Sequence, residues 1–370
     1  MSIEPPVTAG RNGRSRVSAD CLMRSGLEST GPARYACSNF IDGGTLLRGF
    51  TIATAVATAV VCQTTLAQAQ TPREPPPAWA YPVNPPDFKL PPDDGTIQRV
   101  PGSTAGYTLT QLRNPFAPAD WHPADRPPMP QIVAQGRKPD VWACGYCHRA
   151  DGPGGPENAN LTGLPVAYMI QQLVDFKSGA RRSSVMSRGS VTLKVKISAA
   201  LDEAEMSAAA AYFASIKARS MVSVVETDTA PKTFVMMWHL AAHKGAEKEP
   251  IGRRIIEVPE DLELFENRYT GARFIAYAPV GSIEQGKVLA TTGGDGKTVP
   301  CTTCHGPGLK GLGAIPGIAG RSPSYIVRQL YDFKNGVRAG ANSALMKGSV
   351  ENLSVDDMMV LAAYAASLAP

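Results

Sequence analysis

Two pentapeptides hold the side chains best suited to chemistry in this chain: Cys144-Gly145-Tyr146-Cys147-His148 and Cys301-Thr302-Thr303-Cys304-His305. In each, two thiols stand three residues apart and an imidazole follows directly. That spacing suits covalent attachment of a haem. Each thiol can add to one vinyl group to form a thioether, and the His is then held beneath the iron as its proximal ligand. Cysteine usage agrees. Of the seven Cys, Cys21, Cys37 and Cys62 lie near the N-terminus and the other four all fall inside the two motifs. Once the first 69 residues are set aside, no thiol remains for disulfides, zinc or nucleophilic catalysis.

The motifs sit inside a longer repeat. Displacing the sequence by 157 residues superimposes them and, without a gap, places Gly154 on Gly311, Gly163 on Gly320 and Tyr168 on Tyr325. Gln172-Leu173 falls on Gln329-Leu330, Asp175-Phe176-Lys177 on Asp332-Phe333-Lys334, Gly179 on Gly336 and Arg181 on Arg338. Small insertions intervene after that, yet Ala211-Tyr212 still matches Ala363-Tyr364. A duplicated unit of this size implies two similar domains. It also argues against zinc, because a four-Cys zinc site brings its Cys pairs much closer together in sequence.

The elements that must position these residues follow from composition. A chain of 370 residues has room for two or three domains, and a formal charge of +5 spread over scattered basic residues calls for no nucleic-acid partner. Abundant Pro (32) and Gly (35) favour long irregular connections. Residues 1–69 read as a leader: Arg48 precedes the apolar run 50–61, and Ala67-Gln68-Ala69 supplies a small-x-small cleavage pattern. A run of 12 residues is too short to span a bilayer, so export to the periplasm with at most peripheral membrane association is expected. Residues 70–130 are Pro-rich, which excludes long helices, and Trp79, Phe88, Phe116 and Trp121 point to an arm that packs.

The first unit, 131–218, carries its motif, a Gly/Pro-rich loop, a helix over 166–177 stopped by Gly179, a polar loop over 181–188 and a closing helix over 201–217. Asp202, Glu203 and Glu205 suit the N-terminus of that last helix. Residues 219–281 have no counterpart in the repeat. Strand-like runs at 234–236, 254–258 and 273–277 predict a small β-containing insertion. Within it His239 and His243 are spaced to share one helical face, as surface histidines or as a metal pair. The second unit, 282–370, begins with a helix over 282–290 in which Gly286 is a small contact residue, and Ser354 with Asp357 caps its last helix.

With Cys-x-x-Cys-His near the start, a Met in a later loop and a closing helix bearing Tyr212, each unit resembles a class I cytochrome c. The tandem arrangement is similar to the di-haem cytochromes of the c4 and c553 type, and the resemblance covers about half of the chain beyond the leader. It implies a mainly α fold wrapped around two covalent haem c groups and a one-electron transfer role. One departure is visible: Pro139 lies where the family's N-terminal helix should run in the first unit, so that helix must be short or displaced. The family pattern places the second axial ligand in the loop ahead of the closing helix. There stand Met186 and Met346, 38 and 41 residues after His148 and His305. Met169 aligns with Ile326 and lacks repeat support. Met206 and Met358 align with each other, but Met358, Leu361, Ala365 and Leu368 form a helical core stripe.

Two His/Met-ligated haems leave no open iron position for a substrate, which favours an electron carrier over an enzyme. Its partners would be a donor dehydrogenase or bc1-type complex and an acceptor oxidase or reductase. Lys177, Arg181, Arg182, Lys334, Arg338 and Lys347 could form a docking surface for an acidic partner, or be ordinary solvated charges. The alternative is a cytochrome subunit of a dehydrogenase complex, or a haem enzyme of the peroxidase or thiosulfate-oxidising type. An enzyme needs a five-coordinate haem or a His or Cys in the sixth position. Only His122, His239 and His243 remain for that, none of them repeated.

Overall fold

The computed structural model describes residues 74–370 except residue 246, all within one compact unit. The expected leader features lie outside the described residues. Prolines confine the arm to extended chain, a 3-10 turn at Pro123–Asp125 and one short α-helix, α1 (Leu109–Leu112), closed by a reciprocal cap between Thr108 and Gln111. The arm packs through its aromatic side chains, whose polar tips need buried partners. Trp121 is buried and its indole donates to the Asn267 carbonyl at 2.8 Å. Tyr81 is buried too, and its hydroxyl donates to the Asp332 carboxylate at 2.8 Å.

The first unit contains α2 (Gln131–Ala134), α3 (Cys144–His148), α4 (Val166–Ser178), α5 (Gly189–Ala200) and α6 (Glu203–Ser215). Gly179 closes α4 in the left-handed conformation, as its lack of a Cβ allows. The N-terminal helix is only four residues long, in keeping with Pro139. Helix α5 does not follow from local signals, since its Val, Thr and Ile are poor helix formers. Packing against α4 holds it.

The insertion holds β1 (Val222–Glu226), β2 (Thr229–Pro231), β3 (Thr233–Met236), β4 (His239–Ala242), β5 (Lys248–Pro250), β6 (Ile256–Pro259), the short α7 (Leu262–Glu266) and β7 (Phe274–Ala278). Strand β7 is central to a three-stranded sheet in the order β1-β7-β6, parallel to β1 with Val222 opposite Phe274 and antiparallel to β6 with Ile256 opposite Tyr277. The pairs β2-β5 and β3-β4 are separate antiparallel ribbons.

The second unit runs α8 (Ser282–Thr292), α9 (Cys301–His305), α10 (Pro323–Lys334), α11 (Ser343–Val350) and α12 (Val355–Ser367). Helix α8 crosses α12 at Gly286, where an added Cβ would lie 2.0 Å from the Val360 carbonyl oxygen. Only Gly permits that approach. The core of this unit is continuous with Met221, Val222, Phe274 and Ala276 of the insertion and Ala80 and Tyr81 of the arm, whereas the first unit has a core of its own. The two units meet at a short two-stranded contact, with Arg182 N–H donating to the Val337 carbonyl and Ala339 N–H to the Ala180 carbonyl, both at 2.8 Å. Among the described residues, no helix is long and apolar enough to cross a membrane.

Candidate functional site

Each Cys-x-x-Cys-His motif is one turn of helix, and beyond the His the chain takes the same course in both units. It folds back so that Gly154 N–H donates to the His148 carbonyl at 3.0 Å and Gly311 N–H to the His305 carbonyl at 2.7 Å. These glycines sit at φ 63° and 95°, a region that disfavours side chains. The same return loop delivers the Ala159 carbonyl to His148 Nδ1 at 2.9 Å and the Pro316 carbonyl to His305 Nδ1 at 2.8 Å. A carbonyl only accepts, so Nδ1 carries the proton and Nε2 is left with a lone pair for a metal. Both rings are kept neutral. Burial, then the nearby Lys194 cation, pushes His148 down to about 3, and burial lowers His305.

None of the four motif Cys forms a disulfide, and both motifs line one cavity of about 840 Å³ that spans the meeting place of the units. Burial raises Cys144, Cys147 and Cys301 above the ordinary thiol value. A walled cavity holding two thiol pairs and two neutral, oriented imidazoles fits a pair of covalently held haems. Met346 lines this cavity from α11. Met186 does not. It stands in the turn before α5, 43 % exposed, with its carbonyl accepting from the Thr192 hydroxyl at 2.9 Å. The expected Met186–His148 pairing is therefore not assembled; α5, which follows that turn, lines the cavity through Leu193, Lys194 and Ile197. Met169 lines the wall as does its counterpart Ile326, while Met206 and Met358 are buried in their cores away from it.

No family model matches the chain. The thiosulfate dehydrogenase electron acceptor of Stutzerimonas stutzeri (strain A1501) is 27% identical over 237 residues, 63% of this chain and 82% of that protein. Cytochrome c4 of Stutzerimonas stutzeri is 24% identical over 230 residues, 60% of this chain and 83% of that protein. Cytochrome c-554(548) of Halomonas halodenitrificans is 36% identical over 75 residues, 20% of this chain but 90% of that protein. The chain belongs to the di-haem class I c-type cytochromes. It carries two covalent haem c groups, and its two Cys-x-x-Cys-His motifs contain Cys144 and Cys147 and Cys301 and Cys304.

In this cytochrome, several charges expected to greet a partner are committed elsewhere. Arg181 and Arg338 are buried between the units and exchange reciprocal bonds. Arg181 donates to Tyr325 at 2.9 Å and Gln329 at 2.8 Å in the second unit, and Arg338 to Tyr168 at 3.0 Å and Gln172 at 2.8 Å in the first. Lys177 donates to the Leu201 carbonyl at 2.6 Å and Lys334 to the Leu353 carbonyl at 2.5 Å, tying each central helix to the start of each closing helix. The repeated Tyr, Gln, Lys and Arg are legible in the sequence, but their pairing across the interface is not. Of the expected docking set, Lys177, Arg182 and Lys347 are exposed, Lys177 with its ammonium tied to the Leu201 carbonyl.

His239 and His243 share no helical face. His239 is buried on β4, its Nε2 3.3 Å from Glu266, and His243 follows the strand with its ring 5.0 Å from that of Phe234. His122 lies 5.9 Å from the Tyr269 ring. Neither these nor any other cluster among the described residues gathers three or more His, Cys, Asp or Glu side chains into a metal site.

Proposed function

We propose that this cytochrome is a periplasmic carrier that takes single electrons from a dehydrogenase oxidising an inorganic sulfur compound and passes them to an oxidase or reductase. The observation that carries the reading is the shared cavity: both attachment motifs open into it, so the two redox groups would be held side by side in one cavity. The haems supply reversible one-electron chemistry; the chain supplies the rest. His148 and His305, each oriented from behind by a loop carbonyl, would hold the two irons, and Met346 would complete the second site. The arginine-clamped interface holds the two sites in fixed relation, which limits reorganisation during transfer. The donor class is taken from the relative named as an electron acceptor of thiosulfate dehydrogenase. The leader-like N-terminus supports export.

The test is to isolate the oxidised protein and mix it with thiosulfate, with and without a thiosulfate dehydrogenase from the same source. Rapid reduction of both haems only when the dehydrogenase is present is the expected outcome. Reduction by thiosulfate alone would indicate an enzyme, and recovery in the cytoplasmic fraction would contradict the location.

A further inference from the structure

The two copies do not present the same atom to their irons. Sequence displacement by 157 residues holds through Arg181 and Arg338, but the closing helices match at a displacement of 152. Three structural marks fix the second register. The N-caps Asp202 and Ser354 each form a capping box with a carboxylate three residues on, Glu205 and Asp357. The Leu201 and Leu353 carbonyls accept the bonds from Lys177 and Lys334. Gly163 N–H donates to the Phe213 carbonyl at 3.1 Å and Gly320 N–H to the Ala365 carbonyl at 2.8 Å. Counting back eight residues from each N-cap gives Lys194 and Met346.

The helices before those caps agree with the count. At this displacement the cavity-facing positions coincide: Leu193 with Leu345, Lys194 with Met346 and Ile197 with Ser349 all line the cavity. Met186 falls on neither register at Met346, matching Arg338 or Ser343 instead. Lys194 is half-buried, and among the described residues its ammonium forms no hydrogen bond and no ion pair. Its electrostatic neighbours include Cys144, Cys147 and His148, so it reaches towards the attachment motif of its own unit. A half-buried cationic side chain on the wall of a mostly apolar cavity, without a protein partner, is placed for a ligand that would compensate it.

We propose that Lys194 is the sixth ligand of the first haem, so that the cytochrome carries one His/Lys and one His/Met centre. This rests on the di-haem assignment. Coordination uses the lone pair of the neutral amine, so one proton passes from Lys194 to solvent when the bond forms. Methionine sulfur raises a haem potential, and the amine lacks that effect, so the first centre has the lower potential and electrons come to rest on the second.

The test begins with intact mass after acid–acetone extraction, since fewer than two retained haems would overturn the di-haem assignment itself. On protein with both haems, near-infrared magnetic circular dichroism of the ferric state separates thioether-ligated from amine-ligated iron. The wild type should show one centre of each kind. Lys194→Met should convert the amine band to a second thioether band and raise the lower potential. Met346→Leu should remove all thioether intensity, and Met186→Leu should change nothing. The proposal is overturned by two thioether-ligated centres in the wild type, by thioether intensity that survives Met346→Leu, or by its loss on substituting Met186 or the cavity-lining Met237. A wild type without an amine-ligated centre also overturns it, and since this and the Met186 and Met346 results need no Lys194 variant, misfolding of that variant does not shield the proposal.

Discussion

The two haem units are copies whose inner parts agree and whose outer walls do not. Both keep the His seat, the return loop, the lysine tie and the capped closing helix. The second unit then closes its back with the 11-residue α8, seated on α12 at Gly286. The first has only the four-residue α2 there and relies on the insertion. Arg149, held at φ 67° where the second unit has Gly306 at 75°, is buried over the Phe265 ring at 4.6 Å. The indole of Trp238 packs on Gly189, where a Cβ would meet it at 2.5 Å. A haem seat thus requires a small set of bonds around the His, while the wall that excludes water can come from any well-packed element.

The largest test of this division removes the cofactor from one unit at a time. Replacing both motif Cys by Ala should leave one of two haems on the intact mass in either case. The consequences should differ. Loss at Cys301 and Cys304 should unfold much of the chain, because that core is continuous with the insertion and the arm. Loss at Cys144 and Cys147 should leave the second unit folded, as circular dichroism and limited proteolysis would show. Next in size is Gly286→Val, which forces α8 off α12 and should cost about 3 kcal/mol in denaturant unfolding. A change at the exposed Gln131 of α2 should stay within about 0.5 kcal/mol.

The interface tests the symmetry itself. Arg181→Ala and Arg338→Ala each strip bonds from a Tyr and a Gln of the opposite unit, and each should cost about 1–3 kcal/mol. Similar values, non-additive in the double variant, would confirm reciprocal clamps; a large inequality would break the comparison. Smallest are the caps, where Asp202→Ala and Ser354→Ala should each cost about 1 kcal/mol. Glu205 of the first capping box is held below its ordinary value, chiefly by the hydrogen bond from Arg137. A depressed carboxylate stabilises the fold above its unfolded value, so this contribution is present at neutral pH and fades as pH falls through the depressed one. Acid unfolding of Arg137→Ala should lose that slope.

Much of this protein is written in one dimension. The attachment motifs, the duplication, the caps and the strand-like runs of the insertion all depend on residues close in sequence, where spacing and local backbone preference decide the outcome. The short first helix can be read for the same reason, from Pro139. Local signals fail where the decision is made between distant elements. Arg181 and Arg338 look like surface charges until the units close on each other and bury them. His239 looks helical until β3 supplies its partner strand. The family pattern points to Met186 for the sixth position, since it stands in the loop ahead of the closing helix, 38 residues after His148. Helix α5, held by packing rather than propensity, instead places Lys194 at the cavity wall and leaves Met186 outside. Spacing fixes which atoms a turn can bring together. Which side chain faces an iron across a cavity depends on the register of a helix that only tertiary contacts hold in place.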